Sequence, residues 1–334
     1  MSASPLQINL AKDSNSFPQA VQSDQVPRSQ ASVWLSRYLF FMAIATLLVM
    51  ALGSATRVMN AGLSCPDWPL CYGELVPLKE MDLLVFLEWF HRVLATTMGA
   101  FTLILVGSVW RVRAQLPSWT FGGAIFALIL VICQGILGGL TVTQLLRFDI
   151  VTAHLATGLL FFSTLLTMAT LLALNKSLDN HSNSAPAYQS NKLIKWLGLS
   201  AVASVYYQSI LGALVSSQWA VHQCLAGTSL CGVLHNHFLG VVPATVLSLA
   251  VVYFAWRDRS LSPLVHWTGL AVAALLTSQI ALGVTTYKLQ LQVPGVTVLH
   301  QVVGAALLGA LIIFTIATFK NQESNQPQIG ANWS

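Results

Sequence analysis

Hydrophobic residues along this chain fall into eight long runs separated by short polar stretches: approximately 34–56, 83–109, 119–141, 150–174, 193–217, 232–256, 264–287 and 296–319. Each is long enough for a helix crossing a bilayer, which needs about 20 mostly apolar residues. A helix also satisfies its own backbone hydrogen bonds where no water is present. The pattern therefore predicts an all-α integral membrane protein with eight transmembrane helices. Residues 1–31 are polar and rich in Ser and Gln, and are read as a tail; the first apolar run is too long for a cleaved signal segment. The longest polar stretch between runs, around 176–192, reads as a linker between two four-helix halves, 32–175 and 193–320, with a second tail at 321–334.

Composition sharpens this. Of 334 residues, 55% are hydrophobic and 8% charged, against roughly 25% charged in soluble domains; mean hydropathy is +0.68. So few charges exclude a soluble enzyme, a disordered chain and a nucleic-acid binder. The net charge of +5 is not a basic patch, because the 16 Lys and Arg are spread thinly. Eight spans place both termini on one side. Eleven of the 16 cations fall there: Lys12, Arg28, Arg37, Arg111, Arg113, Lys176, Lys192, Lys195, Arg257, Arg259 and Lys320. The positive-inside rule puts that side, and both termini, in the cytoplasm of a cell-membrane protein. Asp67, Glu74, Glu80, Asp82 and Glu88 cluster on the other side, in or beside the first external loop, 57–82.

Cys65 and Cys71 fall in that loop, and Cys224 and Cys231 in the third external loop. Each pair is close enough in sequence to bridge, and each faces the compartment where disulfides persist. Free or metal-binding thiols are the alternative. Cys133 lies alone inside the third run and reads as packing.

The two halves repeat. His91 and His237 are 146 residues apart, as are His154 and His300, and within each half the histidines are 63 apart. Gln134-x-x-x-Gly138 returns as Gln279-x-x-x-Gly283, with a weaker copy at Gln208-x-x-x-Gly212. Four helices per repeat is an even number, so both halves insert the same way up: two parallel four-helix bundles from an internal duplication. The offset also selects between His235 and His237. These face different directions on a helix turning about 100° per residue, and only His237 keeps both spacings; His235 stays as the alternative.

An ionisable residue inside a span is costly and marks function by default. The competing reading is a histidine hydrogen-bonded to a neighbouring helix. Four histidines recurring as two pairs, near the external ends of the even-numbered runs, favour axial ligation of a heme iron in each half. Gly158 and Gly304, four residues after His154 and His300, are expected to make room for the flat ring. Zinc is disfavoured, because no Cys or carboxylate completes a four-ligand set. His181, His222 and His266 read as solvated or interfacial.

The halves differ at one place. Glu88 shares a helix face with His91, yet the position 146 later is Leu234, and Arg92 becomes Phe238. A carboxylate and a propionate-pairing Arg in the first half alone point to chemistry there and a resident cofactor in the second. The competing role for Glu88 is to orient a neighbour or sit at the interface.

With these residues in view, the sequence resembles the heme A synthase family, the CtaA type. The resemblance rests on Glu88-Trp89-Phe90-His91-Arg92, the segment from Thr56-Arg57 to Gly62-Leu63-Ser64, His154 and His300, and runs over roughly 34–320. The family's sixth span usually carries a His-Arg element; here Phe238 follows His237. The resemblance implies an oxidoreductase that converts the C8 methyl of heme O to a formyl group, giving heme A for terminal oxidases. It implies heme O on His91 and His154, with Arg92 near its propionates, and a b-type heme cofactor on His237 and His300. With both His91 and His154 on the heme O iron no position is left for O₂, so water is expected to add to an electron-poor methyl carbon, with Glu88 as the catalytic carboxylate that stabilises developing positive charge or accepts a proton. Partners would be membrane lipid, the heme O synthase (a farnesyltransferase), an unidentified electron carrier and, as an open option, further copies of the chain. Competing readings are a di-heme b-type cytochrome for electron transfer and a heme-handling protein without catalysis.

Overall fold

The computed structural model describes residues 30–175, 192–216 and 231–323. Eight long helices account for most of them: α1 (Gln30–Val58), α2 (Leu83–Val112), α3 (Trp119–Thr143), α4 (Phe148–Leu174), α5 (Lys192–Val215), α6 (Cys231–Arg257), α7 (Pro263–Lys288) and α8 (Pro294–Glu323). All eight are long and apolar enough to cross a membrane, and the protein is a multi-pass membrane protein. Among the described residues there is no strand, only an isolated bridge between Cys71 and Glu74. The eight predicted runs each correspond to one helix, with ends differing by a few residues. The linker around 176–192 and the Cys224–Cys231 pairing lie outside the described residues.

Helix starts follow local chemistry. Asp82 caps α2, its side chain accepting from the Val85 N–H at 2.8 Å. Pro263 opens α7, where a missing N–H costs nothing. Several hydroxyls inside the spans turn back onto their own helix, as Thr46 does to the Met42 carbonyl and Thr170 to Leu166, so these are partnered without water.

Two apolar cores form, one built mainly from α1–α4 and the other mainly from α5–α8, which Leu159 of α4 also joins. Leu39, Leu105, Ala124 and Leu165 centre the first, and Val251, Val272, Leu308 and Phe314 the second. The halves meet along α1 and α4 on one side and α5 and α8 on the other. α4 and α8 are the central pair: 56% and 61% of their most apolar windows are enclosed by protein, against 22–33% for the other six. A Cβ at Gly309 of α8 would meet Leu166 of α4 at 3.0 Å, so glycine permits this close crossing. Polar bonds cross the seam as well, from the Tyr206 hydroxyl to the Ala156 carbonyl and from Arg57 to Gln301.

One turn recurs between the halves. Leu145 and Leu146 after α3, and Gln290 and Leu291 after α7, all have positive φ. In each case the second residue's N–H returns to a helix carbonyl five residues back, Leu146 to Thr141 and Leu291 to Thr286. This is a left-handed helix cap in which glycine is the usual residue. Asn60 ends α1 in the same way, with Ala61 N–H bonded to the Thr56 carbonyl.

Candidate functional site

The four paired histidines sit at matching depths. His154, His237 and His300 are each the seventh residue of their helix, and His91 is the ninth of α2. Because these are the even-numbered helices, all four lie toward the end of the molecule that carries the cysteine loop. His91 and His154 are close enough to interact electrostatically, and so are His237 and His300. The expected pairs are therefore brought together, one in each half.

Each ring fits against a glycine of the preceding helix. A Cβ built on Gly53 would lie 2.6 Å from Cε1 of His91; on Gly283, 3.0 Å from Cε1 of His300; on Gly212, 3.2 Å from Cε1 of His237; on Gly138, 3.5 Å from Cε1 of His154. Three of these notches come from the Gln-x-x-x-Gly motifs, and the glutamine has a task of its own. Gln134 Nε2 donates to the His154 carbonyl at 2.8 Å, and Gln208 Nε2 to the His237 carbonyl at 2.9 Å. These amides fix the depth of the histidine helix against its neighbour.

That arrangement corrects one expectation. Gly158 and Gly304 do not open space for a flat ring. They are where the carboxamides of Gln134 and Gln279 fit: a Cβ on Gly158 would lie 3.4 Å from Gln134 Oε1, and one on Gly304 2.9 Å from Gln279 Nε2. The glycines that shape the histidine sites belong to the odd-numbered helices. Gly53 was missed because α1 has Val49 where the other three have Gln, so no motif marked it.

The rings could hold a metal ion. Nδ1 of His91, His154 and His300 is closed off from solvent without a well-formed hydrogen bond. The backbones of Val49 and Gln279 are the polar groups beside the His91 and His300 rings. A backbone carbonyl behind one ring nitrogen is the usual support for a histidine that binds metal through the other. In the second half Gln208 Nε2 also lies 3.0 Å from His237 Nδ1. Among the described residues no three of His, Cys, Asp and Glu come together. Two nitrogens per site, with glycine-backed rings and no third ligand, fit a planar macrocycle that supplies the iron's other four donors.

His235 is exposed on α6, whereas His237 is half-buried over Gly212. His237 is thus the residue facing His300. His266 bonds back to the Ser262 carbonyl at the far end of α7.

Glu88 is 3% exposed. Its Oε1 pairs with Arg92 Nη2 at 2.5 Å, and its Oε2 accepts the Cys65 N–H at 2.8 Å. Arg92 Nη1 donates to the Asp67 and Leu70 carbonyls, both at 2.6 Å, and Nη2 to the Cys65 carbonyl at 3.3 Å. The loop between α1 and α2 is thereby folded down onto α2 beside His91. Cys65 and Cys71 are bonded as a disulfide, with their Cα atoms 4.8 Å apart. Asp67 accepts the Tyr72 and Gly73 N–H groups, Trp89 donates to the Leu75 carbonyl, and Trp68 lies against Gly139 of α3. The guanidinium of Arg92 is spent on this loop. The second half has Leu234 and Phe238 at the matching positions, and Phe238 meets Tyr287 edge-on instead.

Fold and site together define a polytopic helical membrane protein with two intramembrane histidine pairs, one of them flanked by a buried ion pair and a disulfide-closed loop. The family profile described as cytochrome oxidase assembly protein, COX15-CtaA, matches residues 36–84 and 78–312. The chain belongs to this family. It is similar to proteins named heme A synthase from Shewanella oneidensis (27% identical over 343 residues, 86% of this chain and 96% of the relative) and Erythrobacter litoralis (27% over 333 residues, 82% and 94%). It is likewise similar to one from Caulobacter vibrioides (27% over 339 residues, 86% and 96%).

Proposed function

We propose that the protein is a heme A synthase of the cell membrane, oxidising the C8 methyl of heme O to a formyl group. The observation that carries this reading is the asymmetry of the two sites. Each half presents a glycine-backed histidine pair, but only the first has a buried carboxylate, Glu88, one turn before its histidine. Two equivalent electron-transfer sites would not call for that difference. Its presence in a chain aligned almost end to end with relatives named heme A synthase favours a substrate site over a second cofactor site.

In this reading His91 and His154 hold heme O as substrate, and His237 and His300 hold a b-type heme as resident cofactor. When bound, that heme supplies one-electron redox chemistry, passing electrons to an external carrier. Taking methyl to formyl with water as the oxygen source releases four electrons and four protons. His91 and His154 orient the ring, and the Cys65–Cys71 loop, tied to Glu88 and Arg92, lies beside it. Glu88 contributes fixed negative charge beside the reacting half. It pairs with Arg92 and accepts the Cys65 N–H, and a carboxylate that accepts two hydrogen bonds still has acceptor sites free. Heme O would arrive from the membrane farnesyltransferase that makes it.

Glu88→Gln tests the assignment. It keeps the acceptor for the Cys65 N–H and removes the charge, leaving both histidines untouched. Heme content should persist while heme A falls by about 10²–10³ in rate, with heme O or an alcohol intermediate accumulating. Chromatography of heme extracted from membranes supplied with heme O reads this directly. Undiminished heme A would remove Glu88 from the reaction. A wild type that makes no formyl heme would favour the electron-transfer or heme-handling reading.

A further inference from the structure

We propose that Arg57 is the seat for a porphyrin carboxylate at the seam between the two halves, an assignment that rests on reading both histidine pairs as heme ligands. Arg57 lies in the last turn of α1, four residues after Gly53, the glycine that receives the His91 ring. Residues four apart share a helix face, so its stem points along the wall of the first site. Its Nη2 donates to Gln301 Oε1 at 3.1 Å, and Gln301 directly follows His300, a ligand of the second site. One guanidinium thus bridges the helix backing one histidine pair to the helix carrying a member of the other.

Among the described residues no carboxylate pairs with the charge on that bridge. The ion pairs among the described residues are Arg92 with Glu88 and Arg147 with Asp149. Arg57 has a neutral carboxamide as its hydrogen-bond partner, and its Nε is buried without one. A guanidinium stays protonated in any protein environment, and a buried charge is costly unless an opposite charge meets it. Arg92, the other cation beside the first site, is already held by Glu88 and three loop carbonyls. Arg57 is left with a donor fork shaped for a carboxylate. Within the membrane, the carboxylates that reach this level with a bound ligand are the propionates of the porphyrin. Gln301 holds the fork from behind and sets its direction. The ring supplying the carboxylate can be the one in either half, since Arg57 borders both.

The test uses the full-length, heme-loaded protein in lipid nanodiscs, with Arg57→Gln and Arg57→Lys. Two quantities are read: the midpoint potential of the resident heme, and the affinity for added heme O by spectral titration. Removing a positive charge beside a ring stabilises its oxidised state, so a tenfold loss of differential stabilisation lowers the potential by about 59 mV. Arg57→Gln should lower the potential by about this amount or weaken heme O binding roughly tenfold, and Arg57→Lys should do the same to a smaller extent. A lowered potential with normal heme O affinity assigns the carboxylate to the second-half ring. Weakened heme O binding at normal potential assigns it to the first. Both quantities at wild-type values in a heme-replete variant overturn the seat alone. A role in packing only would lower heme content with both quantities unmoved, and also overturns it. Should Arg57→Gln fail to insert, Arg57→Lys decides by the same criteria. A wild type that binds no heme would overturn the seat together with the reading beneath it.

Discussion

At the scale of single residues, what the sequence shows well is periodic identity, and what it shows poorly is which face of a helix a neighbour fills. The four histidines were legible because two spacings had to agree at once, and His237 rather than His235 is the one set over a glycine. Gly158 and Gly304 were misassigned for a physical reason: a glycine four residues after a histidine signals close approach, but not of what. The approaching groups are the amides of Gln134 and Gln279. The notches make a graded prediction. A Cβ at Gly53 would lie 2.6 Å from His91, closer than real Cβ atoms pack, while one at Gly138 would make an ordinary 3.5 Å contact with His154. Gly53→Ala should therefore turn the His91 ring and weaken heme O binding in the first half by tenfold or more, whereas Gly138→Ala should stay within a factor of two or three. Spectral titration of heme O into the two variants checks this. Equal affinities would show that Gly53 does not shape the site.

At the scale of elements, the informative case is the loop joining α1 and α2. Its acidic cluster and cysteine pair were visible in the sequence, but not what holds it. The placement of Arg92 depends on a chain reversal that brings the Asp67 and Leu70 carbonyls back over α2, and no local pattern encodes such a return. Two restraints now act on the loop and can be ranked. The disulfide closes a short ring, worth about 2 kcal/mol by the chain-entropy estimate. Breaking a buried ion pair from one side costs about 3–5 kcal/mol, and Arg92 also loses three carbonyl bonds. Arg92→Gln should thus loosen the loop more than the Cys65→Ser, Cys71→Ser double variant does. Amide hydrogen exchange over 65–74 in nanodiscs measures it: faster exchange in Arg92→Gln than in the cysteine variant is expected. The opposite order would make the disulfide the principal restraint. Because the same guanidinium pairs with Glu88, loosening in Arg92→Gln should be accompanied by reduced heme A.

At the scale of the whole molecule, the eight spans were legible because lipid allows few alternatives to a long apolar helix. The central position of α4 and α8 was not, since their sequences are no more apolar than that of α3. Orientation is the remaining property, and the structure strengthens its case. Of the five cations on the cysteine-loop side, Arg57 and Arg92 are bound within the protein and are not loop charges. Lys79, Arg147 and Lys288 remain, against the eleven on the opposite side. Loop Lys and Arg set the direction of insertion, so the loop side should face outward, with the four histidines in the outer part of the membrane and both termini in the cytoplasm. Single cysteines at Lys79 and at Ser118, between α2 and α3, test this in a Cys133→Ala, Cys224→Ser, Cys231→Ser background, where Cys65 and Cys71 remain bridged. A membrane-impermeant maleimide applied to intact spheroplasts should label Lys79→Cys at once and Ser118→Cys only after permeabilisation. The reverse pattern would turn the molecule over. Both histidine pairs would then open toward the cytoplasm, and the Cys65–Cys71 disulfide would have to persist in a reducing compartment, against the behaviour expected of such bridges.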